Sequence, residues 1–416
     1  MLAGVPQCDE TEANAGTCPA ASQIGHALVQ SGPGGSPLTI PQPGEPEIKV
    51  FLTGKYGNAP FGLSIVTPVI AGPFNLGRIV TRARIEVDAK TAQITVTTDP
   101  LPQIVDGVPT DIRTVDAVID RKGFMFNPTN CTAQESTGTA TGTEGATAPL
   151  NSHYGIGGCR ELAFKPGFTA ATQGKTSKAN GASLHVKLVP PHEGPQAGGL
   201  EEANIAKVKV ELPKALPSRL TTLQKACTSA QFDANPAGCP AASVVGTAVA
   251  HTPLLNSPLT GPAYFVSHGN EAFPQLIMVL QGENVTVDLV GNTFISKAGI
   301  TSSTFASVPD VPVSSFELTL PQGAHSALAA NGNLCVQALA MPTEFVAQNG
   351  TVLHQSTSIG VEGCSNAISI VSHAVRGRSV TVAVSVPAQG KLKASGKGLS
   401  KASKAARTRS RSSRTP

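Results

Sequence analysis

The sequence predicts an all-β protein built from tandem antiparallel, immunoglobulin-like β-sandwich repeats, with short helical turns and a disordered basic tail. Three observations carry that expectation. First, 42 Gly and 33 Pro punctuate the 416 residues, separating short runs of Val, Thr and Ile as turns separate strands. Second, apolar residues recur at period two in ITVTT from Ile94, LHVKLV from Leu184, AKVKVEL from Ala206, VTVDLV from Val285 and SVTVAVSV from Ser379. A strand with one buried face requires that spacing. Third, CPAASQIGHALVQ from Cys18 returns as CPAASVVGTAVAH from Cys239, and a recurrence of this length marks a structural repeat.

Other strings echo in the same order. SPLT occurs at Ser36 and Ser257, GNAPF at Gly57 is matched by GNEAF at Gly269, and GVP before Thr110 by DVP before Val313. The separation between echoes shrinks along the chain, which places shorter loops in the second copy, where insertions and deletions are tolerated. The expected organisation is a first repeat over 1–164 and a bridging strand segment over 165–217. A second repeat covers 218–364, the start of a C-terminal β module 365–389, and a basic disordered tail 390–416.

The eight cysteines fall into two matching quartets, Cys8, Cys18, Cys131 and Cys159, then Cys227, Cys239, Cys335 and Cys364. An even number at repeated spacings reads as a disulfide framework in an oxidising, exported setting. The natural pairing is Cys8–Cys18, Cys131–Cys159, Cys227–Cys239 and Cys335–Cys364, although spacing leaves the other connectivities open. Structural zinc asks for cysteines two to four residues apart on a tight knuckle, and neither quartet supplies one. No metal and no cofactor is therefore expected. CPAAS is then a staple followed by the first strand of each copy, IGHALV and VGTAVA.

Helix is scarce. In SRLTTLQKAC, Ser218 is placed to cap a helix whose Leu220, Leu223 and Ala226 share a face, presenting Cys227 to Cys239. TAQESTGTATGTEGATAP after Cys131 reads equally as a low-complexity linker or a Thr-rich hairpin.

Composition narrows function by exclusion. Trp is missing and Tyr numbers three (Tyr56, Tyr154, Tyr264), which argues against sugar-stacking platforms and single-strand nucleic-acid surfaces. Neither a GxSxG elbow nor an HExxH helix occurs, so nothing points to a hydrolase. His268 lies near Glu271, yet copy one has Tyr56 at the aligned position, and such replacement favours a turn residue. Asp99, Asp106, Asp111, Asp116 and Asp120 crowd copy one without forming a calcium loop, and copy two keeps few of them. From residue 390 onward there are nine cations and no Asp or Glu, so the remainder of this +4 chain is net acidic. Lys391, Lys393, Lys397, Lys401, Lys404, Arg407, Arg409, Arg411 and Arg414 are the expected polyanion contacts, weak and nonspecific.

Met1 opens MLAGVPQCDE without the basic and apolar regions of a signal peptide, and no apolar run approaches a membrane span. Cys227 follows a strand and a helix while Cys8 has seven residues before it, so a truncated start is expected. CPAASQIG, FLTGKYGNAPFGLSIV, FMFNPTNC, TSKANGASLHVKL, LPSRLTTLQKAC and STFASVPDVPVSSFELTLPQG resemble a family of large secreted, Cys-containing β-sandwich repeat proteins of soil actinobacteria. The resemblance spans nearly all of 1–364 and brings no catalytic residues. It implies an extracellular or cell-surface setting. Members begin with a signal peptide and continue past the basic module into Lys-rich strands. This chain instead runs into TRSRSSRTP, as a fragment would. The functional expectation is a non-enzymatic spacer or adhesive scaffold, with envelope polymers or other surface proteins as partners. The alternative is a binding module for a cell-wall glycan, a surface protein or Ca2+.

Overall fold

The computed structural model describes residues 4–190, 202–364, 369–377 and 379–385. The chain divides into two compact units, Met1–Cys364 and Ser365–Pro416. The all-β, antiparallel expectation holds, with helix confined to short turns.

Copy one begins with α1 (Glu10–Ala15), capped by the Asp9 carboxylate, which accepts from the Thr11 amide. Its strands are β1 (Gln23–Ser31), β2 (Leu38–Ile40), β3 (Ile48–Thr53), β4 (Phe61–Ala71), β5 (Phe74–Val87) and β6 (Ile94–Thr98). A small hairpin, β7 (Ile104–Val105) and β8 (Val108–Pro109), precedes β9 (Ile112–Val118). These strands, without the small hairpin, make one sheet in the order β2-β1-β3-β4-β5-β6, with β9 on the other side of β1. The Thr-rich stretch forms a hairpin, β10 (Gln134–Thr141) with β11 (Thr147–Tyr154), which among the described residues pairs with no other strand.

Next come β12 (Gly167–Gln173), β13 (Leu184–Val189), β14 (Ile205–Glu211) and α2 (Leu220–Leu223). Copy two then runs through β15 (Cys227–Thr228), α3 (Ser229–Ala234), β16 (Val244–His251), β17 (Leu259–Ser267), β18 (Gln275–Gly282) and β19 (Val285–Ile295). It ends with β20 (Thr301–Phe305), β21 (Ser315–Leu320), β22 (Ala340–Ala347) and β23 (Val352–Glu362). In the second unit, β24 (Ser369–Arg376) pairs with β25 (Ser379–Ser385).

The repeat is one of strand pairing as well as of sequence. β1–β3, β3–β4, β4–β5, β5–β6 and β1–β9 recur as β16–β17, β17–β18, β18–β19, β19–β20 and β16–β21, all antiparallel. Even the irregularity is copied. Register slips between Gln23 and Gly25 in β1, and between Val244 and Gly246 in β16. The glycine is required there by close approach. A Cβ on Gly25 would lie 2.0 Å from the Val118 carbonyl oxygen, and one on Gly246 2.3 Å from that of Thr319.

The copies differ in what surrounds them. Copy two belongs to a twelve-stranded sheet in the order β15-β17-β16-β21-β13-β12-β23-β22-β14-β20-β19-β18, and the β17–β18 pairing closes it into a ring that leaves out only β15. The segment read as a bridge therefore contributes β12, β13 and β14 to this ring. Every pairing within the ring is antiparallel except the parallel β12–β23. Copy one has no such closure: β6 ends its sheet, and the apolar alternation of ITVTT faces solvent (Ile94 is 65% exposed). One apolar cluster nonetheless runs through both copies, from Ile24, Leu52 and Phe61 to Val245, Met278 and Leu334.

Ser218 does not cap the helix expected after it. Its amide donates to Thr301 Oγ1 and its hydroxyl accepts from the same group, so the N-cap position falls one residue later, on Arg219, and the helix runs only over Leu220–Leu223. Leu223 is buried but Leu220 is 61% exposed, so the expected shared face packs only in part. The helix that leads from Cys227 towards Cys239 is α3, closed by a capping box of Thr228 with Gln231.

Gly246→Ala should push β16 off the Thr319 carbonyl and lower stability by about 2 kcal/mol. Chemical denaturation of the oxidised protein checks this, with Gly238→Ala, which meets nothing within 4 Å, as the neutral comparison.

Candidate functional site

Each copy is strapped by disulfides at equivalent places. Cys8 joins Cys18 and Cys227 joins Cys239, with Cα separations of 5.4 and 5.5 Å. Cys131 joins Cys159 and Cys335 joins Cys364, each at 5.7 Å. The first cysteine of each copy also bridges in parallel to the strand beneath it, Cys8 to Thr53 and Cys227 to Val266. Each strap therefore fixes a short helix, α1 or α3, over the same sheet face.

What lies beneath the strap differs. In copy two, Phe232 of α3 packs on Tyr264, Val266, Ile277 and Val279, with Val290 beside them. The Phe232 and Tyr264 rings meet edge to face, their centroids 5.6 Å apart, and burial pushes the Tyr264 hydroxyl above the ordinary phenol range. Ala13 stands five residues after Cys8 as Phe232 stands five after Cys227, and the strand registers put Thr53, Ser64 and Arg82 of copy one at the places of Val266, Ile277 and Val290.

An apolar core is thus exchanged for a polar one. Arg82, 6% exposed, donates from Nε to the Leu63 carbonyl at 3.0 Å, from Nη2 to Thr53 Oγ1 at 3.1 Å, and from Nη1 to Asn14 Oδ1. Its guanidinium carbon sits 4.2 Å from the centroid of the Tyr56 ring. The Tyr56 hydroxyl donates to Asp99 Oδ2 at 2.5 Å, a bond that holds this phenol above its usual range. Ser64 completes the set by donating to the Ala13 carbonyl of α1 at 2.8 Å. A buried guanidinium is tolerated where its donors are satisfied and an aromatic face covers it, and both conditions are met. The signal in the sequence is an Arg at the strand position that copy two fills with Val290.

A second network joins the copies. Asp310 accepts from the amides of Thr129 and Asn130, from Thr129 Oγ1, and from the side-chain amides of Asn130 and Asn204, at 2.8 to 3.1 Å. The NPTNC turn of copy one is thereby clamped to the VPDVP loop of copy two, and Gly107 stands at the aligned position in copy one. Elsewhere on the joint the Asp288 amide donates to the Ala89 carbonyl at 2.7 Å. Asp288 Oδ1 is buried and accepts no hydrogen bond among the described residues. Burial pushes this carboxyl above the usual range, against the smaller pull of Lys90. A cleft of about 610 Å³ lies at the same joint, between Lys55 and Phe61 of copy one and Ser257 and Glu283 of copy two.

The carboxylates of copy one do not converge. Asp99 is engaged by Tyr56, Asp120 lies 3.2 Å from His26 Nδ1, Asp116 stands on β9, and Asp106 and Asp111 occupy left-handed turn positions. Among the described residues no group of three His, Cys, Asp or Glu side chains is placed to hold a metal ion. His268 is a loop fixture: Nε2 meets Gln275 Oε1 at 2.7 Å and its amide donates to Glu271. The nine basic residues from Lys391 to Arg414 lie outside the described residues. No described helix is long and apolar enough to cross a membrane.

No family model matches the chain, and no curated protein matches it. Among solved structures it is similar to the Enterococcus faecalis MSCRAMM ACE, described as binding its ligands by the collagen hug model. That match has 7% identity and a TM-score of 0.23 over 76% of this chain and 73% of that one. It is also similar to the C-terminal domain of the Streptococcus agalactiae AgI/II polypeptide BspA, at 12% identity and a TM-score of 0.19 over 86% and 89%. TM-scores this low carry no argument about fold or function.

Arg82→Ala should lower stability by about 3 kcal/mol, because it opens a cavity and strands the Leu63 carbonyl. Arg82→Lys should recover only part of this, lacking the planar fork; thermal melts of the two variants read the difference. Asp288→Asn should raise the melting temperature at neutral pH. The folded-state pKa of Asp288 is raised, so its ionisation penalises the fold progressively as pH climbs from the ordinary value of 3.8 through the folded one. The advantage of the variant should fade below that window, which melts from pH 3 to 8 would show.

Proposed function

We propose that the protein is a non-enzymatic extracellular or cell-envelope repeat protein that serves as a spacer and adhesive scaffold. The observation that carries this reading is what the two copies keep and what they vary. Straps, bulge glycines and strand pairing are the same in both, while the polar groups on loops and under the straps differ. Selection of this form favours a frame. Four disulfides are of the kind that persists in oxidising compartments, which supports an exported setting and agrees with the resemblance to secreted actinobacterial repeat proteins. The cationic stretch from Lys391 to Arg414 gives the frame an attraction to anionic envelope polymers.

Retention of the oxidised chain on isolated bacterial cell walls tests the adhesive part. The full chain should be held, with retention weakening as salt rises, and a form ending at residue 389 should be held less. A chain that passes through unretained at every salt concentration overturns adhesion to these polymers.

A further inference from the structure

In copy two the edge of β21 is covered by β13, and β12 beyond it runs parallel to β23. The β12–β13 hairpin follows the Cys131–Cys159 module of copy one, so the hairpin that follows one copy completes the next. The same element follows copy two. β24–β25 begins five residues after Cys364, as β12 begins eight after Cys159. Its pairing matches at two positions, Ile370 facing Val384 as Phe168 faces Leu188 and His373 facing Val382 as Ala170 faces Val186, with a bulge between Ile370 and Ser372 that β12 lacks. Val380, Val382 and Val384 alternate along β25 as Leu184, Val186 and Leu188 do along β13. In the ring those three β13 side chains are buried; Val380 and Val382 are 54% and 44% exposed. Among the described residues of its own unit the hairpin has no third strand, and a lone two-stranded hairpin is marginal in water.

Copy one presents the matching vacancy. The β1–β9 register places Ala117, Asp116 and Val115 where copy two has Leu318, Glu317 and Phe316. Among the described residues β9 nevertheless has no neighbour on its outer side, and Val115 is 54% exposed. The β10–β11 hairpin, counterpart of β22–β23, is likewise exposed along its length, whereas β22–β23 is enclosed between β14 and β12.

We propose that the β24–β25 hairpin of one chain completes copy one of a second chain, β25 adding antiparallel to β9 and β24 parallel to β11, so that chains associate head to tail. The interface is main-chain strand addition with an alternating apolar face. It reproduces between chains the junction that β12–β13 makes within one. Being heterologous, it propagates into open filaments or closes into rings. It concerns the purified chain alone and does not depend on any envelope ligand.

By the register of copy two, Val382 should face Ala117 as Val186 faces Leu318. The test mixes full-length Ala117→Cys and Val382→Cys chains under mild oxidation, beside each variant alone and the Ala117→Cys/Val382→Cys double variant. The mixture should yield a cross-linked heterodimer, and the double variant a ladder of multimers. Light scattering of the unmodified chain should show mass rising with concentration, and Val382→Lys should abolish the rise while leaving the melt of the Met1–Cys364 unit unchanged. A monomeric mass at every concentration with no cross-link in the mixture overturns the proposal. So does a double variant that closes only on itself, which would make the occupant the chain's own hairpin. Binding to cell walls is read separately, so failure here leaves the adhesive reading standing.

Discussion

A β-strand at the margin of a sheet leaves a row of amide and carbonyl groups without partners, and the whole molecule is organised around how those groups are met. Neither copy supplies enough strands to close on itself. Copy two closes because three strands laid down before it, β12, β13 and β14, are recruited into one ring with its own β16 to β23. The ring joins β21 to β13 and β20 to β14, strands far apart in the chain, and its single parallel contact falls where the earlier hairpin meets the later one. The position of the shared apolar cluster follows from this arrangement.

Within that frame the filling is negotiable. The same sheet face beneath the same strap holds an aromatic and aliphatic cluster in one copy and a hydrogen-bonded guanidinium in the other. The exchange works because it is concerted: Phe to Ala, Val to Thr, Ile to Ser and Val to Arg make room for one another, and Tyr56 roofs the result. A single one of these changes would leave either a void or a buried charge without acceptors. The Asp310 clamp follows the same logic, since one carboxylate takes up donors from a turn of the other copy that would otherwise be left without partners.

Much of this was legible in the residues. Period-two alternation located β6, β13, β14, β19 and β25, and the echo of CPAAS with matched cysteine spacings located both copies. The class of fold followed from those signals because both are local. The order of strands in the ring was not legible, because alternation says that a strand has an inside but not which strand lies beside it. ITVTT shows the gap: its pattern is that of a half-buried strand, yet in copy one nothing covers it. The helix near Ser218 was overestimated for a similar reason, because Thr301 competes for the serine that would have capped it. Arg82 reads in sequence as one cation in an Arg-rich strand, and only the strand registers, which set its neighbours position by position against copy two, distinguish it.

The straps have a mechanical meaning as well. A covalent loop cannot be drawn out by traction on its two ends, so the stretch from Cys131 to Cys159, a separation of 28, withholds roughly 95 Å of contour from any extension. Tension transmitted along the backbone bypasses the β10–β11 hairpin through sulfur and passes directly to the segment leading into β12. The hairpin therefore stays folded or unfolded independently of load. A tether stretched between a surface and its target would keep that element unstrained while its neighbours bear the force.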